Sequence, residues 1–295
     1  MPYAHRKIIY DADTHMMERS DWIAEFADST IKNSLEPFVG GKKNILQEID
    51  LAIARFKERK SNAEIASEAN KKFMSMDYKG WNGLGAFDAT ERKLANDLLG
   101  FKAYILFPTS AFNQVIAAKE DNVLIGGVEA LNRGLATFSA EDSRMFPTAY
   151  IPLGLGPDLS KKFLDKSINV GFSIILIDTV APKGQISFTH PDYNKFWAAV
   201  QDADLAVTLH VGADGGYSPI PRSFYNNQKQ VPTHVEGDAP NDALAYMAIQ
   251  YNAELFLSAM IFDGVLERFP KLRIGVVELG ASWIISWMKH LDQSF

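Results

Sequence analysis

The chain has 295 residues, 47% of them hydrophobic and 22% charged, so it can bury a sizeable core in one large α/β domain or two ordinary ones. Its net charge of −6 argues against a general nucleic-acid binder, which needs a basic face. The absence of cysteine excludes disulfides, thiolate metal sites and cysteine nucleophiles, so histidines and carboxylates must hold any metal. No apolar run approaches the roughly 20 residues that span a bilayer, and no signal-peptide core is present. A cytoplasmic protein with neither nucleic-acid nor membrane partners is therefore expected.

Short β-rich runs alternate with helical patterns along the chain, which predicts βαβ units and a parallel sheet. Most of the runs are almost continuously apolar, as in strands covered on both faces. The predicted strands are Ile8–Asp13, Ala103–Phe107, Thr148–Leu153, Phe172–Ile177, Leu205–His210 and Arg273–Glu278. Residues 31–85 are charged and helix-prone, which predicts a helical insertion after the first strand. With no internal repeat or low-complexity linker, a single domain over residues 1–295 is expected.

Three helices have recognisable ends. Asp88, with Glu91 three residues later, resembles a capping box and predicts a helix through Leu99. A second helix is predicted to begin after Gly156. A third, long helix is predicted from Asn241, with its apolar face formed by Leu244, Met247, Ala248, Tyr251 and Leu255. Residues 211–240, rich in Gly, Pro, Ser and Asn, follow the fifth strand, where α/β enzymes place active-site loops.

Asp11, Asp13 and His15 stand at the end of the first predicted strand. Because side chains alternate along a strand, these three are expected to point to one side. Two carboxylates and an imidazole there would form half of a metal site. The alternative is that Asp13 caps a turn and His15 is an ordinary loop residue.

His210 and Glu278 each end an apolar strand run, where polar side chains lie at the mouth of a barrel. His210 is a candidate metal ligand, or else it hydrogen-bonds to the neighbouring loop. A carboxylate ending a buried strand needs a cation, a metal or a proton, because burying an unpaired charge is unfavourable. For Glu278 the alternative is therefore a salt bridge to Arg273 or Arg222.

The remaining histidines and Asp178 have weaker signals. His190 opens the helix before the fifth strand, where it either reaches the mouth or caps the helix. Asp178 follows the fourth strand and is expected near the ligands. His234 lies in the Gly-rich loop, His5 in the N-terminal tail, and His290 on a solvated helix. Neither a Gly-rich phosphate-binding loop nor a G-x-S-x-G turn occurs, which argues against nucleotide binding and serine hydrolysis.

Four segments together resemble the amidohydrolase-related family, metal-dependent enzymes that include aminocarboxymuconate-semialdehyde decarboxylase and γ-resorcylate decarboxylase. The matching segments are residues 9–15 with Glu18, residues 190–197, residues 207–212 and residues 262–283, in the family's order. They cover most of residues 8–285. The resemblance implies an α/β fold of the (β/α)8 TIM-barrel type, with one divalent metal at the carboxyl ends of the strands.

The resemblance implies that Asp13, His15 and His210 bind this metal. Zinc suits the mixed set best, with manganese or iron as alternatives. A further ligand, an Asp on the eighth strand, would lie outside the chain. Glu278 stands where the decarboxylases have a histidine acid/base, so Glu278 is the expected acid/base here. Asp11, Asp178 and His190 are expected to contact the ligands.

Relatives with Glu at this point are described as predicted hydrolases, so a metal-dependent hydrolase of a small carboxylated or cyclic organic substrate is expected. The alternatives are a non-oxidative decarboxylase, a metal-dependent oxygenase on the same barrel, and a non-catalytic barrel subunit that supports an active partner. Two βα units are missing from an eight-stranded barrel, so we expect a fragment of a protein of roughly 370–400 residues, or a partner that closes the barrel. A homo-oligomer, or a hetero-oligomer with a homologue, is expected.

Overall fold

The structure is a computed structural model and describes residues 2–36, 45–179, 186–213, 220–226, 228 and 243–295. Within these ranges it has six β-strands that alternate with helices, the number of strands that the sequence predicts. The chain divides into two compact units, residues 1–148 and residues 149–295. The single domain expected over residues 1–295, and the two βα units expected beyond them, stay predictions.

The first unit holds strands in chain order, with β2 pairing in parallel with β1 and with β3. Its strands are β1 (Tyr10–His15), β2 (Ala103–Phe107) and β3 (Met145–Ile151), the last of which crosses into the second unit. Its helices are α1 (Trp22–Phe26), α2 (Ile45–Ser61), α3 (Ala63–Lys72), α4 (Ala89–Leu99), α5 (Ser110–Ile116) and α6 (Asp121–Ser139). Short 3₁₀ turns occupy Met76–Tyr78 and Gly80–Asn82.

Local sequence signals explain the ends and the packing of these helices. The Asp88 carboxylate accepts the backbone N–H of Glu91 at 2.8 Å and starts α4, and Gly100 ends it with a φ of 69°, as the capping pattern predicts. Helix α6 packs closely on α1 because Gly134 has no side chain. A Cβ there would lie 2.6 Å from the Trp22 ring.

Helices α2 and α3 lie in the range where the sequence predicts a helical insertion. Helix α2 is fixed to α4 by an ion pair in which Arg59 donates two hydrogen bonds to the Glu91 carboxylate, at 2.7 and 3.0 Å. Glu91 also accepts the backbone N–H of Gly85 at 2.8 Å. Whether this helical segment is an insertion relative to a minimal barrel stays a prediction, and residues 37–44 of it lie outside the described ranges.

The second unit holds three parallel strands in chain order, with β5 between β4 and β6. The strands are β4 (Ile174–Ile177), β5 (Ala206–His210) and β6 (Arg273–Val277). The helices are α7 (Pro157–Val170), α8 (Asn194–Asp202), α9 (Ala243–Met247), α10 (Tyr251–Phe262), α11 (Val265–Arg268) and α12 (Ile284–Ser294). Leu153–Leu155, Pro191–Tyr193 and Arg222–Tyr225 form 3₁₀ turns. Helix α7 begins after Gly156, as predicted.

The long helix predicted from Asn241 is wrong in two respects. A turn at residues 248–250 separates α9 from α10, and Asn241 itself lies outside the described residues. The predicted apolar face is largely exposed, with Met247 at 69% and Leu255 at 62%. Helix α10 instead buries Phe256 and Met260, because it is apolar all round and periodicity alone does not select its packed side.

Strand β6 is also more exposed than its apolar sequence predicts. Each of its residues is exposed or half-buried, whereas every residue of β4 is buried. Strand β6 is exposed because, within the described ranges, it pairs on one side only, with β5. None of the helices in the described part of the chain is long and apolar enough to cross a membrane.

Candidate metal centre

Asp13 and His15 form the first half of the candidate site, at the carboxyl end of β1. His15 Nε2 lies 3.2 Å from Asp13 Oδ1, and both side chains are about one-third exposed. The other ring nitrogen, Nδ1, lies 3.0 Å from the Thr109 hydroxyl oxygen. Asp13 and His15 thus lie side by side at the end of β1, and their role as half of a metal site stays a prediction.

Asp11 departs from the prediction that it points to the same side as His15. Asp11 pairs with Tyr104 and His15 pairs with Phe107, so β1 advances by four residues where β2 advances by three. Tyr104 and Phe107 are three residues apart and face opposite sides of β2, so this bulge turns Asp11 away from the His15 side. The Asp11 carboxylate still accepts the backbone N–H of Asp13 at 3.0 Å and fixes the backbone there.

Arg92, on α4, ties down the end of β1 from the buried side. Its guanidinium donates to the His15 carbonyl at 2.6 Å and to the Gly85 carbonyl at 2.8 Å. Burial lowers the pKa of Arg92 to about 10, and the charge of Asp11 opposes this shift, so Arg92 stays charged at neutral pH. The backbone that presents His15 is therefore held in place by a buried cation.

His210 and Glu278 form the second half, at the carboxyl ends of β5 and β6. His210 pairs in register with Val277, so Glu278 follows directly on the neighbouring strand, and Glu278 Oε2 lies 3.7 Å from His210 Nε2. His210 Nδ1 donates to the Val211 carbonyl at 2.8 Å, because a carbonyl can only accept. In the neutral ring the proton is thus on Nδ1, and Nε2 presents a lone pair.

Glu278 differs from its prediction in burial, and its neighbour is His210. Its side chain is 45% exposed, so the argument from a fully buried carboxylate is wrong, since β6 is an exposed strand. The proposed alternative partner Arg273 instead pairs with Asp204 at 2.9 Å, and the Arg222 side chain lies outside the described part. Glu278 faces His210 rather than Arg273.

The backbone at Glu278 is left-handed, with a φ of 61°. This conformation costs a non-glycine residue about 1–2 kcal/mol and recurs at functional sites. Trp283 stabilises the turn that follows, because its buried indole N–H lies 3.1 Å from the carbonyls of Leu279 and Gly280. Trp283 thus fixes the two peptide carbonyls that directly follow Glu278.

Asp178 is a buried carboxyl group just beyond the end of β4. The Tyr150 hydroxyl donates to its Oδ2 at 2.7 Å, while its buried Oδ1 has no hydrogen-bond partner among the described residues. Leu176 pairs with Thr208, so continuing this register by two residues sets Asp178 beside His210. Burial raises the pKa of Asp178 to about 7, although the Tyr150 hydrogen bond opposes this shift.

Because of this shift, stability should fall between about pH 4 and pH 7. The folded state keeps the Asp178 proton up to a pKa of about 7, while the unfolded chain releases it near 3.8, so folding binds a proton in between. The contribution amounts to roughly 4 kcal/mol and is fully lost above pH 7. Asp178→Asn should remove most of this loss, measured by urea unfolding at pH 5 and pH 8.

Asp202→Asn, an exposed change at the end of α8, is the matched control and should leave the pH dependence as in the wild type. An Asp178→Asn protein with an unaltered difference between pH 5 and pH 8 would show that Asp178 is ionised in the folded state at neutral pH.

His190 takes the helix-capping position, one of its two expected roles. Its Nδ1 accepts the backbone N–H of Asp192 at 3.3 Å, and its side chain is 44% exposed. His290 lies on α12 and is exposed, as expected. His234 and most of the Gly-rich loop lie outside the described residues.

Side chains of metal-ligand type stand at the strand ends of each unit in the described part of the chain, Asp13 and His15 in the first and His210 and Glu278 in the second. Sequence reasoning selected all four, but it missed the roles of Thr109, Arg92 and Tyr150. These three are remote in sequence from the residues they bind, so no spacing could connect them. Glu18 was noted only within the first motif, although an acid directly after an apolar Met-Met pair was a usable signal.

No family model and no curated protein matches this sequence. The structure is similar to an amidohydrolase from Mycobacterium avium subsp. paratuberculosis, with 15% identity and a TM-score of 0.63 over 98% of this chain and 76% of that chain. It is also similar to 5-carboxyvanillate decarboxylase from Novosphingobium aromaticivorans, in complex with manganese and 4-hydroxy-3-methoxy-5-nitrobenzoic acid (15% identity, TM-score 0.57, 99% of this chain and 71% of that chain).

The 5-carboxyvanillate decarboxylase from Sphingomonas paucimobilis matches with 12% identity and a TM-score of 0.52, over 98% of this chain and 74% of that chain. At such identities the likeness shows the fold. The chain thus has the α/β fold of amidohydrolase-type structures, which bears out the predicted resemblance at the level of the fold.

Proposed function

We propose that this chain, with the fold of amidohydrolase and 5-carboxyvanillate decarboxylase structures, is a metal-dependent enzyme of the amidohydrolase-related family. Its proposed reaction is hydrolysis of a small carboxylated or cyclic organic substrate. The observation that supports this most is that two strand-end histidines each have a carboxylate beside Nε2, His15 with Asp13 and His210 with Glu278.

The chemistry of these side chains fits a divalent metal. Nδ1 of His210 donates to a carbonyl, and Nδ1 of His15 lies against a hydroxyl, so both imidazoles can present Nε2. A set of two imidazoles and one or two carboxylates suits zinc, manganese and iron. We propose that Asp13, His15 and His210 hold one such ion, with zinc as the first choice.

When bound, the ion would supply a Lewis acid that polarises a substrate oxygen and makes a water molecule more acidic. The protein side chains do the rest. Asp13 offsets positive charge, and the two imidazoles keep their orientation through their Nδ1 partners. Glu278, partly exposed and facing His210, can accept a proton from the attacking water and return it to the leaving group.

A non-oxidative decarboxylase is the second candidate, favoured by the similarity to two 5-carboxyvanillate decarboxylases. In that reaction Glu278, as a protonated acid, would donate its proton to the ring carbon that loses carbon dioxide. The same site residues serve both reactions, so the products must separate them.

The test is a panel of carboxylated aromatics and small lactones, incubated with chelator-treated protein before and after addition of zinc, manganese or iron. We expect turnover only after a metal is restored. Hydrolysis in ¹⁸O-labelled water should place the label in the organic product. Decarboxylation should release carbon dioxide and leave the organic product unlabelled. Metal-independent turnover would contradict the proposal, and so would the absence of metal binding to the purified protein.

A further inference from the structure

We infer that Thr109, held in place by Glu18, is a positioning residue that fixes the tautomer of His15 so that Nε2 is the nitrogen available to a metal. The inference deepens the proposed function and rests on it for the identity of His15 as a ligand. Its geometric basis lies wholly within the first unit. No predicted role had been given to Thr109.

The hydroxyl group of Thr109 determines where the His15 proton is. The Thr109 O–H donates to the Met16 carbonyl at 2.7 Å, so its single proton is already used. The same oxygen lies 3.0 Å from His15 Nδ1 and can only accept there. A neutral His15 ring must therefore carry its proton on Nδ1, which leaves a lone pair on Nε2.

The consequence appears on the other side of the ring. Nε2 lies 3.2 Å from Asp13 Oδ1, and both atoms are acceptors when the proton is on Nδ1. Two acceptors at this distance are stabilised by a cation between or beside them. With the proton held on Nδ1 by the Thr109 hydroxyl, Asp13 and His15 do not share a simple hydrogen bond. Both can instead act as metal ligands.

Glu18 explains why the Thr109 hydroxyl is free for this task. Thr109 occupies the N-cap of α5, where a threonine hydroxyl usually accepts a backbone N–H of the first helical turn. Here Thr109 makes no such bond. The Glu18 carboxylate accepts instead the N–H groups of Thr109, Ser110 and Ala111, at distances of 2.8–3.2 Å.

Glu18 is fully buried, and burial raises its pKa while these backbone hydrogen bonds lower it. Within the described residues, the hydrogen bonds to this carboxylate come from backbone N–H groups, which therefore carry its stabilisation. Thr109 is therefore anchored through its backbone by Glu18, and its hydroxyl is aimed at His15 as a result.

The test uses Thr109→Val, which keeps the shape and removes the hydroxyl, and Thr109→Ser, which keeps the hydroxyl. The ¹⁵N shifts of the His15 ring in metal-free protein report the tautomer. We expect Nδ1–H in the wild type and in Thr109→Ser, and a mixture of tautomers in Thr109→Val. Titration with zinc or manganese should give a Kd about 10–100-fold weaker for Thr109→Val, and close to the wild type for Thr109→Ser.

Thr137→Val, an exposed change on α6, is the control and should alter neither quantity. A wild-type His15 with its proton on Nε2 would overturn the inference, whether or not any variant folds. An unchanged Kd and tautomer in Thr109→Val would also overturn it. If the wild type binds no metal, the proposed function fails, but the tautomer in metal-free protein still tests the role of Thr109 separately.

Discussion

Replacing His210 by alanine should abolish metal retention. The expected metal content falls from about one equivalent per chain to less than about a tenth of that, because a three-ligand site loses one of its two imidazoles. His210 is well suited to dominate metal retention, since its side chain is only 7% exposed and its Nδ1 is fixed by the Val211 carbonyl. Elemental analysis after gel filtration measures the loss.

His290→Ala, an exposed change on α12, is the matched control and should retain metal as the wild type does. Because His210 is largely buried, the thermal unfolding of both variants should also be compared with that of the wild type in chelator. If only metal ligation is lost, their unfolding temperatures should differ little there. Undiminished metal in a folded His210→Ala protein would show that His210 is not a ligand.

Replacing Glu278 by glutamine should lower turnover by about 10²–10⁴-fold, the usual contribution of a general acid/base. Glutamine preserves the shape of the side chain and leaves the backbone as it is, but it cannot exchange the proton. Metal content should remain close to that of the wild type, because Asp13, His15 and His210 are the proposed ligands. Steady-state kinetics on the substrate found in the panel, with elemental analysis of the same sample, measures both effects.

Glu267→Gln, on the exposed side of α11, is the control and should leave turnover unchanged. Full turnover with full metal content in Glu278→Gln would remove Glu278 from the mechanism. A loss of metal together with turnover would instead make Glu278 a fourth ligand.

Much of this arrangement could be predicted from the sequence, because each strand is a short apolar run with clear ends. Five of the six predicted strands overlap the observed ones to within two residues at each end, and β3 begins three residues earlier than predicted. The polar residues that end β1, β5 and β6 were all identified as the site candidates. Polar side chains directly after apolar strands are a strong signal, since parallel strands bring their carboxyl ends to one edge.

The bulge in β1 could not be predicted, and it explains the error at Asp11. A period of two places Asp11 and His15 on one side, but the pairing with Tyr104 and Phe107 inserts an additional residue between them. This register depends on a strand about ninety positions away. The same limit applies to Thr109, whose contact with His15 joins residues 94 positions apart.

The helix error has a different cause. Periodicity predicted an apolar face from Leu244 to Leu255, yet this face is exposed and the helix is interrupted at residues 248–250. A pattern of apolar residues shows which side of a helix could be buried. Which side is actually buried depends on the element that packs against the helix.

We propose that Asp13, His15 and His210 bind one divalent metal. Anomalous X-ray diffraction from crystals grown with manganese tests it most directly, at the manganese absorption edge. The account predicts one strong peak in contact with Nε2 of His15, Nε2 of His210 and a carboxylate oxygen of Asp13. A peak that touches neither histidine, or no peak in manganese-saturated crystals, would contradict it.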